Sequence, residues 1–208
     1  MSDCVVVLDF ETTGMSPDLG ARATEIGLVR IRHGQITERY QSLMNAGVRI
    51  PRFIEEFTGI TNAMIKSAPP VTTVMQEAAD FIGDDPLVAH NASFDRRFLD
   101  AEWQRIQHAR RQDFACTLLL SRRIVPEAPN HQLGTLVRHL DLPLAGRAHR
   151  ALADAEMTAG LFLAILGKIQ ERFGTVSVSH ALLRAIQAAP KSRYPEIVTQ
   201  YHGEVVTP

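Results

Sequence analysis

The sequence predicts an α/β protein, a sheet built around one buried strand with helices packed on it. Three observations carry this reading. Residues 4–10 (CVVVLDF) form a β-branched apolar run, the pattern of a strand covered on both faces. Residues 25–32 (EIGLVRIR) alternate through Ile26 and Leu28 and end at a His33-Gly34 turn. Apolar residues then recur at helical period over residues 71–82 and, far more densely, over 152–169.

Taken in order, the first strand belongs at the centre of the sheet. Strand side chains alternate, so Asp9 and Glu11 at its end project from one face while Phe10 goes to the other. Unpaired carboxylates are costly to bury, which puts these two at the strand's mouth, facing solvent or a cation. Alone, Asp-x-Glu is a weak signal, because acids often end strands. Thr12, Thr13 and Gly14 supply a turn whose backbone can approach a ligand closely. The second strand and a third, over about 40–44, complete a β-meander. Residues 49–61 read as one short helix, with Pro51 near its start, Phe53, Ile54 and Phe57 as its apolar face, and Gly59 as C-cap. The helix over 71–82 packs on the sheet.

Residues 86–89 (PLVA) form a short buried strand that leads at once into a helix striped with Phe94, Phe98, Leu99, Trp103 and Ile106, capped by Asn91 or Ser93. Asp95 falls in the first turn, where the helix dipole favours a negative charge. By itself it is an ordinary N-terminal helix charge, and His90 and Asn91 fit equally well as loop-pinning residues. Residues 114–124 pass from a strand end into a helix, residues 126–129 break the chain, and Asn130 caps a helix carrying Leu133, Leu136, Val137 and Leu140. The helix over 152–169 is apolar on most of its circumference and belongs to the core. After Gly174 come a short helix and a tail containing Pro, Tyr and charged residues, to which no function is assigned.

At 208 residues and 45% hydrophobic content, the chain can bury a full core. Its 22 Lys plus Arg are matched by 23 Asp plus Glu, so no overall basic field exists to hold a duplex at many phosphates. Contact with nucleic acid must then be local. Basic residues cluster at Arg105, His108, Arg110 and Arg111, at Arg122 and Arg123, and at Arg147 and Arg150. Solvated surface is the default reading of these clusters and a phosphate-contacting rim the minority one. Cys4 and Cys116 suggest neither a zinc site nor a disulfide framework. With no basic leader and no apolar run of spanning length, no membrane association and a cytoplasmic location are expected.

His149 and Asp154 are five residues apart, about 140° round an ideal helix, so they cannot share a face of one helix. If His149 lies on the entry loop and Asp154 on the opening turns, both can point at one spot. A proton acceptor beside an acidic metal ligand is what water activation requires. His-x-x-x-x-Asp is a common accident on its own, yet Asp9, Glu11, Asp95 and Asp154 together offer four carboxylates from three distant segments. Such an oxygen-rich set suits hard divalent cations, Mg²⁺ or Mn²⁺, rather than zinc. Two such ions about 3.5 to 4 Å apart would bind a scissile phosphate and activate water, which is phosphodiester hydrolysis.

These segments resemble the DEDD superfamily of 3'-5' exonucleases in its histidine-containing, DnaQ-like (DEDDh) branch. Its first motif reads here as Asp9-Phe10-Glu11-Thr12-Thr13-Gly14, its second as His90-Asn91-Ala92-Ser93-Phe94-Asp95, and its third as His149 through Asp154. A Thr-Gly-Ile-Thr segment at Thr58-Gly59-Ile60-Thr61 also matches, and the resemblance covers roughly residues 4–170. It implies a ribonuclease H-like fold with a mixed five-stranded sheet, the first strand central and the second antiparallel to it. It implies Asp9, Glu11, Asp95 and Asp154 as ligands of two divalent ions, His149 as the base, and Thr12, Thr13, Ile60 and Phe94 as residues holding the terminal nucleotide. Residues 1–173 would be the exonuclease domain and 174–208 a C-terminal appendage. The implied reaction is release of nucleoside 5'-monophosphates from single-stranded or frayed 3' ends, DNA favoured. The likeness is strongest to a polymerase proofreading subunit, which makes a polymerase a candidate partner. The alternative is a catalytically silent module serving as a scaffold in a polymerase or repair complex. The complete acid set argues against it, since such a module need not keep four mutually repelling carboxylates together.

Overall fold

The computed structural model describes residues 4–144, 146, 149–174 and 178–205. Of the basic clusters, Arg147 lies outside them. Five strands, β1 (Cys4–Thr12), β2 (Ala23–Arg32), β3 (Gln35–Leu43), β4 (Leu87–Ala89) and β5 (Phe114–Cys116), form one sheet in the order β3-β2-β1-β4-β5. β1 runs antiparallel to β2 and parallel to β4, β2 is antiparallel to β3, and β4 is parallel to β5. The sheet is therefore mixed, with β1 central and β2 antiparallel to it, as the motif resemblance implies.

The period-2 geometry of β1 divides the core. Val6, Leu8 and Phe10 join a cluster under α3 (Val71–Ile82) and α4 (Ala92–Arg105), with Trp103 fully buried and its indole N–H donating to the Met75 carbonyl at 3.2 Å. Val7 turns to the opposite face and packs with α5 (Thr117–Ile124) and α7 (Ala151–Phe173). Asp9 and Glu11 have the parity of Val7, so they point to the face that carries α7.

Several elements depart from the sequence reading. The helix expected over 49–61 is two, α1 (Arg52–Thr58) and α2 (Asn62–Lys66). Gly59 stops the first at φ 74°, and the Thr61 hydroxyl starts the second by accepting from the Met64 N–H. The apolar face of α1 does not become core: Phe53 is 67% and Phe57 58% exposed. At the start of α4, Asn91 occupies the cap position at φ 62° without a side-chain cap bond; the Phe94 N–H donates to its carbonyl instead. Asn130 sits ahead of α6 (Leu133–His139), where its side-chain oxygen accepts from the Gln132 N–H. The tail, in which no element is predicted, contains α9 (Tyr194–Val205), and α8 (His180–Ala188) before it buries Leu182, Leu183 and Ile186 in the same cluster as α7. Among the described residues no helix is long and apolar enough to cross a membrane.

Candidate active site

Where β1 ends, a cleft of about 230 Å³ is lined by Asp9, Glu11, Asp95 and Asp154, together with Thr12, Phe57, His90 and Phe94. The carboxylates arrive from three elements: β1, the first turn of α4, and the first turn of α7. His149 stands just ahead of α7 at φ 61°, and its N–H donates to the Asp154 carboxylate at 3.2 Å. Ligand atoms of Glu11, His149 and Asp154 all lie within 4.8 Å of one another. A loop histidine and a helical aspartate thus point at one spot, the arrangement that their spacing requires if they are to act together. The imidazole also stacks on Phe57 of α1, ring centroids 3.9 Å apart.

Two residues on β2, outside the motifs, place α7. Gly27 pairs with Asp9 across the β1–β2 ladder, and a Cβ there would meet the Ala151 and Leu152 backbone at 2.3 to 2.4 Å. Only a residue without a side chain lets the start of α7 lie directly on the strand. Glu25, fully buried and paired across from Glu11, accepts from the Arg150 guanidinium at 2.6 Å, the Ala151 N–H at 3.0 Å and the Gln41 amide at 2.7 Å. It fixes the first turn of α7, and with it Asp154 and His149. Sequence reasoning missed both residues. The available signal was a lone acid at the head of an alternating apolar strand, two positions before a glycine.

Asp95 is held by a buried bond, its carboxylate accepting from the Phe10 N–H at 3.2 Å, which ties α4 to β1. Glu102 of α4 receives the Arg22 guanidinium through two nitrogens at 2.8 and 2.9 Å, fastening the same helix to the β1–β2 connection.

Crowding of acids, Glu11 and Asp95 buried and Asp9 and Asp154 half-buried, shapes the electrostatics. Burial and the neighbouring carboxylates of Asp95, Asp154, Glu11 and Glu25 push the Asp9 pKa well above the usual carboxylate range. Burial, then Asp154 and Glu25, raises Glu11 to about 8. Burial raises Asp95 to about 7 against the opposing Phe10 amide bond. Asp154 is raised by burial and partly offset by His149. His90 is held neutral, lowered to about 4 mainly by burial, with its ring nitrogens bonded to the Thr117 hydroxyl and the His131 carbonyl, each at 3.0 Å. A clustered all-oxygen donor set with this much mutual repulsion fits a hard divalent cation, whose charge would relieve it.

Of the predicted nucleotide-holding residues, Thr12 and Phe94 line the cleft. Thr13 braces the turn behind it, its hydroxyl accepting from the Arg22 N–H at 2.9 Å. Ile60 is fully buried in a small cluster with Ile50 and Ile65, behind the cleft-lining Ile54 and Thr58.

The family model for exonucleases of the RNase T type matches residues 6–162 and so contains every one of these acids and His149. The chain belongs to the exonuclease family. Among its relatives, a PolC-type DNA polymerase III from Oceanobacillus iheyensis is 39% identical over 171 residues, 82% of this chain and 12% of that protein. The chain thus spans about an eighth of the length of the PolC-type relatives it matches. A DNA polymerase III subunit epsilon from Aquifex aeolicus is 32% identical over 170 residues, 81% of this chain and 83% of that one. Exonuclease X, solved in complex with 5' overhanging duplex DNA, superposes with a TM-score of 0.66 at 25% identity, covering 93% of this chain and 99% of that chain. The fold is ribonuclease H-like.

Proposed function

We propose that this exonuclease hydrolyses the terminal phosphodiester at single-stranded or frayed 3' ends of nucleic acid, DNA favoured, and releases nucleoside 5'-monophosphates. The observation that carries the reading is the convergence of Asp9, Glu11, Asp95, Asp154 and His149 on one cleft. The four carboxylates would hold two divalent ions, Mg²⁺ or Mn²⁺. When bound, such ions supply charge for the scissile phosphate and the leaving oxygen and acidify the attacking water.

The chain's own residues do the rest. The His149 imidazole takes the proton from the attacking water as the new P–O bond forms and the bond to the 3' oxygen breaks. Phe57 stacks on that ring and limits its rotation, while the bond to Asp154 anchors its backbone. Thr12 and Phe94 face the terminal nucleotide, with Phe94 offering an apolar surface to its base or sugar; Thr13 and Ile60 support the walls from behind. The polymerase relatives support a polymerase as partner, and a nucleic-acid substrate supports work in the cytoplasm.

The test is the fate of single strands labelled at either end, DNA and RNA, with and without Mg²⁺. A 5' label should report a ladder of progressively shorter strands, and a 3' label should leave at once as mononucleotide. Cleavage from the 5' end, or within the strand, would overturn the reading; absence of any cleavage would favour the scaffold instead.

A further inference from the structure

A second cavity, also about 230 Å³, lies between the C-terminal end of α5, α7 and the α8–α9 connection, and its charged lining is entirely basic: Arg122, Arg123, His131, Arg172 and Lys191. Two of these cations are fixed. Arg123 donates to the Leu119 carbonyl at 2.7 Å and to the Ala189 carbonyl through two nitrogens, at 3.1 and 2.5 Å. Arg172 donates to the Tyr194 hydroxyl at 2.5 Å and lies over that ring, 5.5 Å from its centroid. Two more are uncommitted: Arg122 and Lys191 are exposed and form no ion pair with a described residue. Burial, and after it repulsion from Arg122, lowers the pKa of Arg123. Cations held together in this way call for an anion.

The cavity is not isolated. An open groove lined by His90, Asn91, Asn130 and Gln132 shares Arg122 and His131 with it at one end, and at the other shares His90 with the acid-lined cleft. The His90 ring bonds the His131 carbonyl, which ties the two shared walls together. The acid cleft, the groove and the basic pocket thus adjoin through shared lining residues, the groove offering amide and imidazole groups and the pocket guanidinium and ammonium.

We propose that this path is a backbone track for the substrate strand: with the 3' end in the acid cleft, the 5'-ward phosphates run along the groove and seat in the Arg122–Lys191 pocket. The proposal rests on the exonuclease reading and names how its substrate is held. It also gives the segment beyond the family match a task, since Lys191 and Tyr194 come from there and Arg123 holds it through Ala189. A strand is favoured over an acidic protein because the track ends at the phosphodiester-cleaving site, and a chain of net charge −1 has no diffuse field to hold a strand in its place.

The experiment compares the full chain with Arg122→Gln/Lys191→Gln and with Arg122→Lys/Lys191→Arg. Binding of a labelled single strand in EDTA is followed by anisotropy across a salt series. Hydrolysis of a p-nitrophenyl ester of thymidine monophosphate, too small to reach the pocket, is measured separately. The neutral variant should bind the strand about tenfold more weakly, with the log–log salt slope reduced by roughly 0.7 for each phosphate that is no longer neutralised. It should cleave the small diester as the parent does, and the charge-conserving variant should bind like the parent. Unchanged binding and slope in the neutral variant overturn the track. Failure of the parent on the small diester overturns the active-site reading instead, and the EDTA binding comparison still decides the track.

Discussion

His149 sits at a left-handed φ of 61° that only a few per cent of non-glycine residues adopt, with its N–H on Asp154 and its ring on Phe57. Strain at an exposed loop residue is retained where the surroundings fix it, and here they aim an imidazole at the acid cleft. His149→Ala is expected to lower the single-turnover rate by about 10² to 10⁴, the range for a positioned acid–base group, while binding of Mn²⁺ by the four acids persists. Rapid-quench kinetics beside a Mn²⁺ titration checks both halves. A rate within a few-fold of the parent would show that another acceptor takes the proton.

At the scale of elements, the site depends on where α7 begins, and that is set by β2. Gly27 admits the helix backbone and Glu25 bonds its first residues, so two strand positions outside every motif locate Asp154 and His149. Gly27→Ala should cost about 1–3 kcal/mol of stability by overpacking against main chain that cannot yield like a side chain. Activity should fall more than the fraction unfolded explains, because the helix start must move off the strand. Denaturant melts with activity assays on the folded fraction test this; a variant as stable and active as the parent would mean that α7 is placed by other contacts. The motifs were legible in the sequence because each joins a local pattern to its acid: an apolar strand ending in Asp-x-Glu, a helix start with Asp95, and a loop before a dense apolar helix. Gly27 and Glu25 were not, since a close approach between segments over a hundred residues apart leaves no local signature. The same limit hid the exposure of Phe53 and Phe57, whose helical spacing looks like a core face until α1 is seen beside the cleft. It hid α9 as well, in a tail whose Pro and charges read as irregular.

For the whole molecule, the cleft trades stability for charge. The folded-state pKa values of Glu11, about 8, and Asp95, about 7, are raised, so in metal-free protein these acids take up protons more readily folded than unfolded. Their contribution is fully present below the unfolded carboxylate range, near about pH 4, and is lost as pH rises through 7 to 8. Metal-free protein should therefore lose stability from this cluster as pH rises from about 4 to about 8. Mg²⁺ should restore it increasingly toward alkaline pH, and Asp95→Asn should flatten the dependence. Melting temperatures across pH, with EDTA or Mg²⁺, test this. A Mg²⁺ effect that does not grow with pH would count against metal binding by these acids.

The central claim, metal-dependent removal of nucleotides from a 3' end by this acid cluster, meets its most direct test in the end-labelled single-strand assay run with parent and Asp9→Ala. The parent should release nucleoside 5'-monophosphates stepwise from the 3' end in Mg²⁺ and nothing in EDTA. Asp9→Ala, which removes one of the mutually repelling, partly buried carboxylates, should stay folded by circular dichroism and release none. Equal product from parent and Asp9→Ala, or product from the parent undiminished in EDTA, would contradict the account.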